Sequence, residues 1–333
     1  MRLLPLVLLA ACGLSACSSA ADSSHEAPAA NPAYAQPREV SGMPLPAGSQ
    51  IEHAGQEEPR DTENGTPTGT LRPDNRLTKE RVPRIVARGR LIVGVDQSQN
   101  RLSFRDPLTG EYTGFEVELA KEIARDIFGD PNAIEFRFIA SADRADALNS
   151  REVDIIVRTM SITQERERDI DYSAPYVSAA TRILTSRGSD IEDFADLDGR
   201  TACAAIGSTS VDKIRSLAPG ADILKVSRWS DCLMALQQRQ VDAVVTDDLI
   251  LAGMADQDPF TTIVGEPIGR EDYGVGVRKS IPSDDSSGLV RQVNETLERI
   301  RTDGTWQRLY HAWFGPQFVY TDQPQPLYRE EAN

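Results

Sequence analysis

The chain is poor in the residues that most catalytic chemistry draws on. Of its 333 residues only three are histidine and four cysteine. Two of the histidines, His25 and His53, sit in polar sequence, which leaves little from which to assemble a zinc site. The third, His311, lies in an aromatic stretch where packing is its expected role, so a hydrolytic Ser–His–Asp set has no evident base. Cationic residues are outnumbered: 36 Lys and Arg against 51 Asp and Glu give a net charge of −15. With no basic face to neutralise phosphates, a nucleic-acid partner is excluded. Beyond the extreme N-terminus no apolar run approaches the length that spans a membrane. No catalytic residue, metal or cofactor is therefore expected.

What is present begins with the N-terminus. Arg2 precedes the short apolar run Leu3 to Ala11, which has the length of a signal peptide. Leu14-Ser15-Ala16-Cys17 then resembles the lipobox of bacterial lipoproteins, which implies a signal peptide over 1–16 and an acylated Cys17 as first mature residue. Leu9-Ala10-Ala11-Cys12 also fits but would leave a very short signal, and an ordinary secretory signal with an incidental Cys is the other reading. Either way the chain is expected to leave the cytoplasm for the cell envelope, on the outer face of the cytoplasmic membrane. Residues 17–76 are rich in Ala, Pro, Glu, Ser and Gly with almost no large apolar side chains, so they read as a disordered stalk. Cys203 and Cys232 remain; in an oxidising compartment they are expected to pair, two buried free thiols being the alternative.

Hydrophobic residues make up 40% of the chain, enough for substantial cores. Four apolar runs organise the part after Leu77: Leu91–Val95, Val153–Val157, Thr201–Ile206 and Val241–Val245. Their length and bounding turns read as buried parallel strands. Helical patterns alternate with them: Phe115, Leu119, Ile123 and Ile127 share a face that Gly129 ends, and Leu289, Val293, Leu297 and Ile300 share another. This is an α/β fold with open sheets, in which ligands bind beyond the carboxyl ends of the strands. Those ends carry Asp96, then Thr159, Ser161 and Thr163, then Gly207-Ser208-Thr209-Ser210, then Asp247-Asp248. Ser161-Ile162-Thr163-Gln164 has capping-box form, and a second helix should start near Val211. Free N–H groups at such helix starts suit a carboxylate, although capping alone is the commoner use of these residues.

Ser161-Ile162-Thr163-Gln164-Glu165-Arg166, followed by Asp171-Tyr172-Ser173-Ala174-Pro175-Tyr176, resembles the family 3 solute-binding proteins of amino-acid ABC transporters. Further matches are Gly114-Phe115-Glu116-Val117-Glu118-Leu119, Asp196-Leu197-Asp198-Gly199, Tyr273-Gly274-Val275-Gly276 and the close Trp313-Phe314-Gly315. The resemblance spans about Leu91 to Gly315 and is strongest to glutamate- or glutamine-binding lipoproteins, which share the Cys203/Cys232 pair. It implies a two-lobed periplasmic-binding-protein-like fold of type II with two hinge strands, crossing near Tyr176–Ala180 and Asp272–Gly276. Residues 77–179 and 277–316 would form lobe 1, 180–276 lobe 2 and 317–333 a C-terminal tail.

Carried over position by position, the resemblance implies that Arg166 takes a ligand α-carboxylate with N–H groups at Ser208 and Thr209. Thr159 and Ser161 would bond the ligand backbone, and Asp247 would accept its ammonium. A planar guanidinium suits a carboxylate, and a dehydrated ammonium needs an opposing charge. The alternatives are a surface Arg166 in a charged run and an Asp247 that only caps a helix. Ser141 and Arg144 match residues that hold a side-chain carboxylate, and Trp229 a ligand-facing position, though a Trp packed beside a disulfide reads equally well. Two departures stand out: Gln99 occupies the place of an aromatic platform, and Asp96 the place of an Arg found in some acidic binders. The implied function is that of a monomeric, lipid-anchored binding component serving an ABC permease and ATPase, with glutamate or aspartate favoured over glutamine or asparagine. The alternatives are an amino-acid sensor lipoprotein and a dehydratase-like enzyme on the same fold.

Overall fold

The computed structural model describes residues 43–59, 67–315 and 318–331. The signal peptide over 1–16, Cys12 and Cys17 lie outside the described residues. In chain order the strands are β1 (Gln50–Glu52), β2 (Leu91–Val95), β3 (Ser98–Gln99), β4 (Ser103–Arg105), β5 (Tyr112–Thr113) and β6 (Ile134–Phe138). They continue with β7 (Ile155–Ile156), β8 (Ile170–Ser186), β9 (Thr201–Ala205), β10 (Asp222–Val226), β11 (Ala243–Asp247) and β12 (Thr261–Arg278). The helices are α1 (Thr78–Arg81), α2 (Pro83–Arg88), α3 (Phe115–Phe128), α4 (Arg144–Asn149) and α5 (Ser210–Leu217). After them come α6 (Trp229–Gln237), α7 (Asp248–Gln257), α8 (Ser287–Thr302) and α9 (Thr305–Trp313).

All four apolar runs form strands, and each pairs in parallel with a neighbour: β2 with β6 and β7, β9 with β10 and β11. β3, β4 and β5 make a small antiparallel sheet apart. The large sheet runs β1-β10-β9-β11-β8-β12-β7-β2-β6. Its middle pair, β8 and β12, is antiparallel and long, and serves both halves. β12 carries the β7-β2-β6 side through Gly276 and Val277, whereas β8 carries the β11-β9-β10 side from Thr181 to Thr185. The exchange of partners falls between these points, and the β8–β12 ladder is irregular there, with register shifts from Val264 to Gly276. Two lobes therefore hang on two strands.

Periodicity accounts for the principal helices. Phe115, Leu119, Ile123 and Ile127 are the buried stripe of α3, which ends at Gly129 in a left-handed conformation with φ 75°. Leu289, Val293, Leu297 and Ile300 do the same for α8. Phe115, Trp306, Tyr310 and Phe314 form an aromatic cluster, and the Trp306 indole donates to Tyr176 O at 2.6 Å, fixing β8 near its crossing.

Two expectations are corrected. The segment expected to be a stalk up to residue 76 is ordered over 43–59 and 67–76. β1 adds antiparallel to the edge of β10, and buried Glu52 takes two bonds of 2.7 Å from Arg215 and one of 2.9 Å from Lys225. Thr70 donates to Tyr172 O at 2.7 Å, and Asn294 donates to Thr70 and to Leu71 O. Disorder was argued from missing apolar bulk, but the segment is held by ladder and ion-pair contacts that composition does not reveal; Ile51 itself stays exposed. Second, Ser161 caps no α-helix. Arg166–Arg168 is one 3₁₀ turn, whose start is held by Thr163 Oγ1 accepting from Arg166 N at 3.2 Å.

Candidate ligand-binding cleft

The site collects where the strands of both lobes end. Ser141, Arg144, Thr159, Ser161 and Arg166 come from the β7-β2-β6 side, and Ser208, Thr209, Trp229 and Asp247 from the other. All nine line one narrow space, together with Ser210, Thr246 and Ile250. A larger concavity of ≈ 410 Å³ lies along β12, lined by Ile162, Tyr172, Lys213, Asp272 and Leu327. Its three acids are already engaged, Glu167 by the Thr68 N–H at 2.8 Å, Asp272 by Arg270 at 2.7 Å and Glu271 by Lys213 at 3.9 Å.

Arg144 opens α4 and is 3% exposed, not on a solvent face. Its guanidinium donates only to carbonyls: Ser141 O at 2.8 Å, Gly207 O at 3.1 Å and Arg158 O at 3.3 Å. Burial, followed by the charges of Arg166 and Arg158, pushes its pKa well below the usual arginine value. Arg166 donates to Ser161 O and to Gly207 O, both at 2.9 Å. Among the described residues no carboxylate forms an ion pair with either. Both arginines thus reach across the cleft to one carbonyl of the opposite lobe. Gly207 is required there: its φ is 77°, and a Cβ would lie 2.9 Å from Ala142 Cα.

Asp247 faces them from the other lobe. It stands at the N-cap position of α7, but its side chain makes no capping bond. Tyr273 OH donates to one oxygen and Thr181 Oγ1 lies 3.5 Å from the other. Burial, with the nearby charge of Glu271 second, raises its pKa to about 8. Among the described residues no cation forms an ion pair with this carboxylate to cancel its desolvation.

Thr159 has φ 39°, a strained value for a β-branched residue. Buried Glu116 holds it by accepting the Thr159 N–H at 2.6 Å, while Tyr176 OH donates to the same oxygen at 2.6 Å. Ser161 is bridged to Tyr273 on β12, which links this wall to the partner of Asp247. Ser208 lines the cavity, and its N–H and O–H both go to Ala205 O, at 3.1 and 2.7 Å, while Thr209 is the N-cap residue of α5. Trp229 forms a wall at the start of α6, one turn before Cys232, which is bonded to Cys203 with a Cα separation of 5.5 Å. In an adjoining space beside Trp229, the Gln99 carboxamide has neither its donor nor its acceptor satisfied.

Sequence reasoning missed Glu116, Tyr273 and, most consequentially, Arg158. Arg158 and Asp96 are an ion pair with no exposure at all. Asp96, taken as a departure in the ligand pocket, spends its second oxygen on the N–H groups of Gln97 and Ser98 and on Ser98 Oγ, at 2.7 to 2.8 Å. The available signal was an arginine, Arg158, following directly on the apolar run Ile155-Ile156-Val157.

Comparison with known proteins agrees with this architecture. Residues 91–316 match the bacterial extracellular solute-binding proteins, family 3. The glutamine-binding protein of an ABC transporter from Bacillus subtilis is 34% identical over 236 residues, covering 71% of this chain and 85% of that protein. The glutamate-binding protein of Corynebacterium glutamicum is 32% identical over 253 residues, 72% of this chain and 84% of that one. An ancestral arginine-binding protein solved with glutamine superposes with a TM-score of 0.63 at 34% identity, over 68% of this chain and 99% of that one. The chain belongs to the family 3 solute-binding proteins.

Proposed function

Because the chain is a family 3 solute-binding protein, we propose that it captures an acidic amino acid, glutamate or aspartate, for an ABC permease and its ATPase. The observation that carries this reading is the charge arrangement of the cleft. Arg144 and Arg166 are two cations without carboxylate partners, and Asp247 is one buried acid without a cation close enough to hold it ionised. A zwitterion with a second carboxylate supplies two anions and one cation, the set that cancels these charges. In this assignment Arg166 and the Thr209 N–H hold the α-carboxylate, Thr159 and Ser161 the ligand backbone, and Asp247 the ammonium. Ser141 and Arg144 hold the side-chain carboxylate against the wall made by Trp229. Relatives named for glutamine and for glutamate bracket the choice.

Delivery to a permease fits an extracytoplasmic protein anchored at the membrane through lipid on Cys17, with residues 18–42 as the connection to the folded part. Cys17→Ser should then release the protein from the membrane fraction or leave it unprocessed; unchanged lipid labelling would reject Cys17. The ligand is tested by calorimetric titration of the chain from residue 18 onward with Glu, Asp, Gln and Asn. Tighter binding of Glu or Asp supports the reading, and tighter binding of both amides rejects it.

A further inference from the structure

We propose that Arg158, fully buried behind the cleft wall, sets the polarity with which Ser141 meets the ligand and thereby discriminates a side-chain carboxylate from a carboxamide. The inference deepens the reading above, since it takes the ligand side chain to lie against Ser141 and Arg144. One guanidinium nitrogen of Arg158 donates to Asp96 and the other to Ser141 Oγ. A guanidinium has only donors, so Ser141 accepts in this contact and its own O–H must point elsewhere. Ser141 also lines the cavity; with one lone pair taken by Arg158, the hydroxyl keeps its hydrogen and a single lone pair for a ligand, which favours an acceptor there. Asp96 cannot undo this arrangement, because its other oxygen is already shared by three donors at 2.7 to 2.8 Å.

The second group on that wall, Arg144, is donor-only as well. A carboxylate accepts from both Ser141 and Arg144. A carboxamide has one acceptor and one NH2, and in this site the NH2 must compete for the one lone pair left on Ser141 or face the donors of Arg144. Arg158 touches no ligand in this account; it is a positioning residue that acts through a hydroxyl. Its carbonyl also takes one bond from Arg144 at 3.3 Å, so the same residue steadies both readers.

Replacing Arg158 with Met leaves both Ser141 lone pairs open to the cleft, so the hydroxyl can accept from an amide NH2 as readily as it donates to a carboxylate. Calorimetry with Glu, Gln, Asp and Asn on Arg158→Met, Arg158→Lys and the double variant Asp96→Ala/Arg158→Met reads the effect as a ratio of Kd values. The double variant removes the orphaned acid and so guards against misfolding of the single one. We expect the Glu-to-Gln and Asp-to-Asn ratios to move toward the amide by roughly tenfold or more in both Met variants. Arg158→Lys, which keeps a donor-only cation, should move them less than about threefold. Adding Ser141→Ala to the Met background should move the ratio no further, because the hydroxyl is the carrier. Equal weakening of acids and amides in the Met variants, with the ratios unmoved, would overturn the inference in favour of a purely structural pair. A wild-type preference for amides rejects the acidic-ligand reading alone, because the shift in ratio still decides the part played by Arg158.

Discussion

Arg144→Met is the substitution whose consequences are most sharply set by the structure. The side chain keeps much of its bulk and loses a cation that is 3% exposed and bonded only to carbonyls. A charge-assisted contact contributes about 1.5–3 kcal/mol against 0.5–1.5 for a neutral one. Losing it for Glu and Asp should therefore cost about 2 kcal/mol, a factor of roughly thirty in Kd, while Gln and Asn change less than about tenfold. Thermal unfolding turns this into a second number. At a Glu concentration a thousand times the wild-type Kd, the ligand stabilises the fold by about 4.1 kcal/mol; after a thirtyfold loss the same concentration gives about 2.1. For a protein of this size the difference is a ligand-induced Tm shift smaller by about 3 °C. The ligand-free variant should not be less stable by a comparable amount, because a buried cation without a counter-charge opposes folding. Near-wild-type binding of all four ligands would refute the argument outright. An equal loss for all four would place Arg144 on the carboxylate that every amino acid shares.

Three further outcomes follow from the geometry. Glu271, Asp248, Tyr273 and Lys213 surround Asp247, whose pKa in the free protein is raised to about 8, so an ammonium ligand must displace a proton below that pH; Kd should rise by up to about tenfold per unit as pH falls, and Asp247→Asn should abolish the slope. Reducing Cys203–Cys232, which closes a loop of 29 residues in sequence separation, should cost about 3–4 kcal/mol in denaturant unfolding; an unchanged midpoint would reject a stabilising role. Arg215 holds Glu52 at a pKa of about 2 against an ordinary 4.5, so its contribution is present above pH 4.5 and lost as pH falls toward 2. Glu52→Ala should accordingly open residues 43–59 to limited proteolysis at neutral pH while the ligand site survives, and equal protection of the variant would count against the ion pair as the fastening.

What the sequence disclosed and what it withheld divide along a physical line. Parallel strands buried on both faces write themselves as unbroken apolar runs, so β2, β7, β9 and β11 were visible, and their polar exits marked the cleft. Thr159, Ser161, Ser208, Thr209 and Asp247, named from those exits, line one space because strand ends converge by topology, and Ser141, Arg144, Arg166 and Trp229, whose roles came from the family resemblance, line the same space. Contacts that depend on pairing across long separations leave no local period. Glu52 meets Arg215 across 163 residues, and Asp96 meets Arg158 across 62. Composition therefore made residues 43–76 look unstructured, and Asp96 look like a rebuilt ligand contact, because each was judged without its partner. An apolar strand that runs straight into Arg158, and a second strand that ends on Asp96, pose the same question twice. Neither charge can be buried alone at the cost of several kcal/mol per ion. An arginine that continues a buried strand implies an acid nearby, and the acid implied here is the one that first looked out of place.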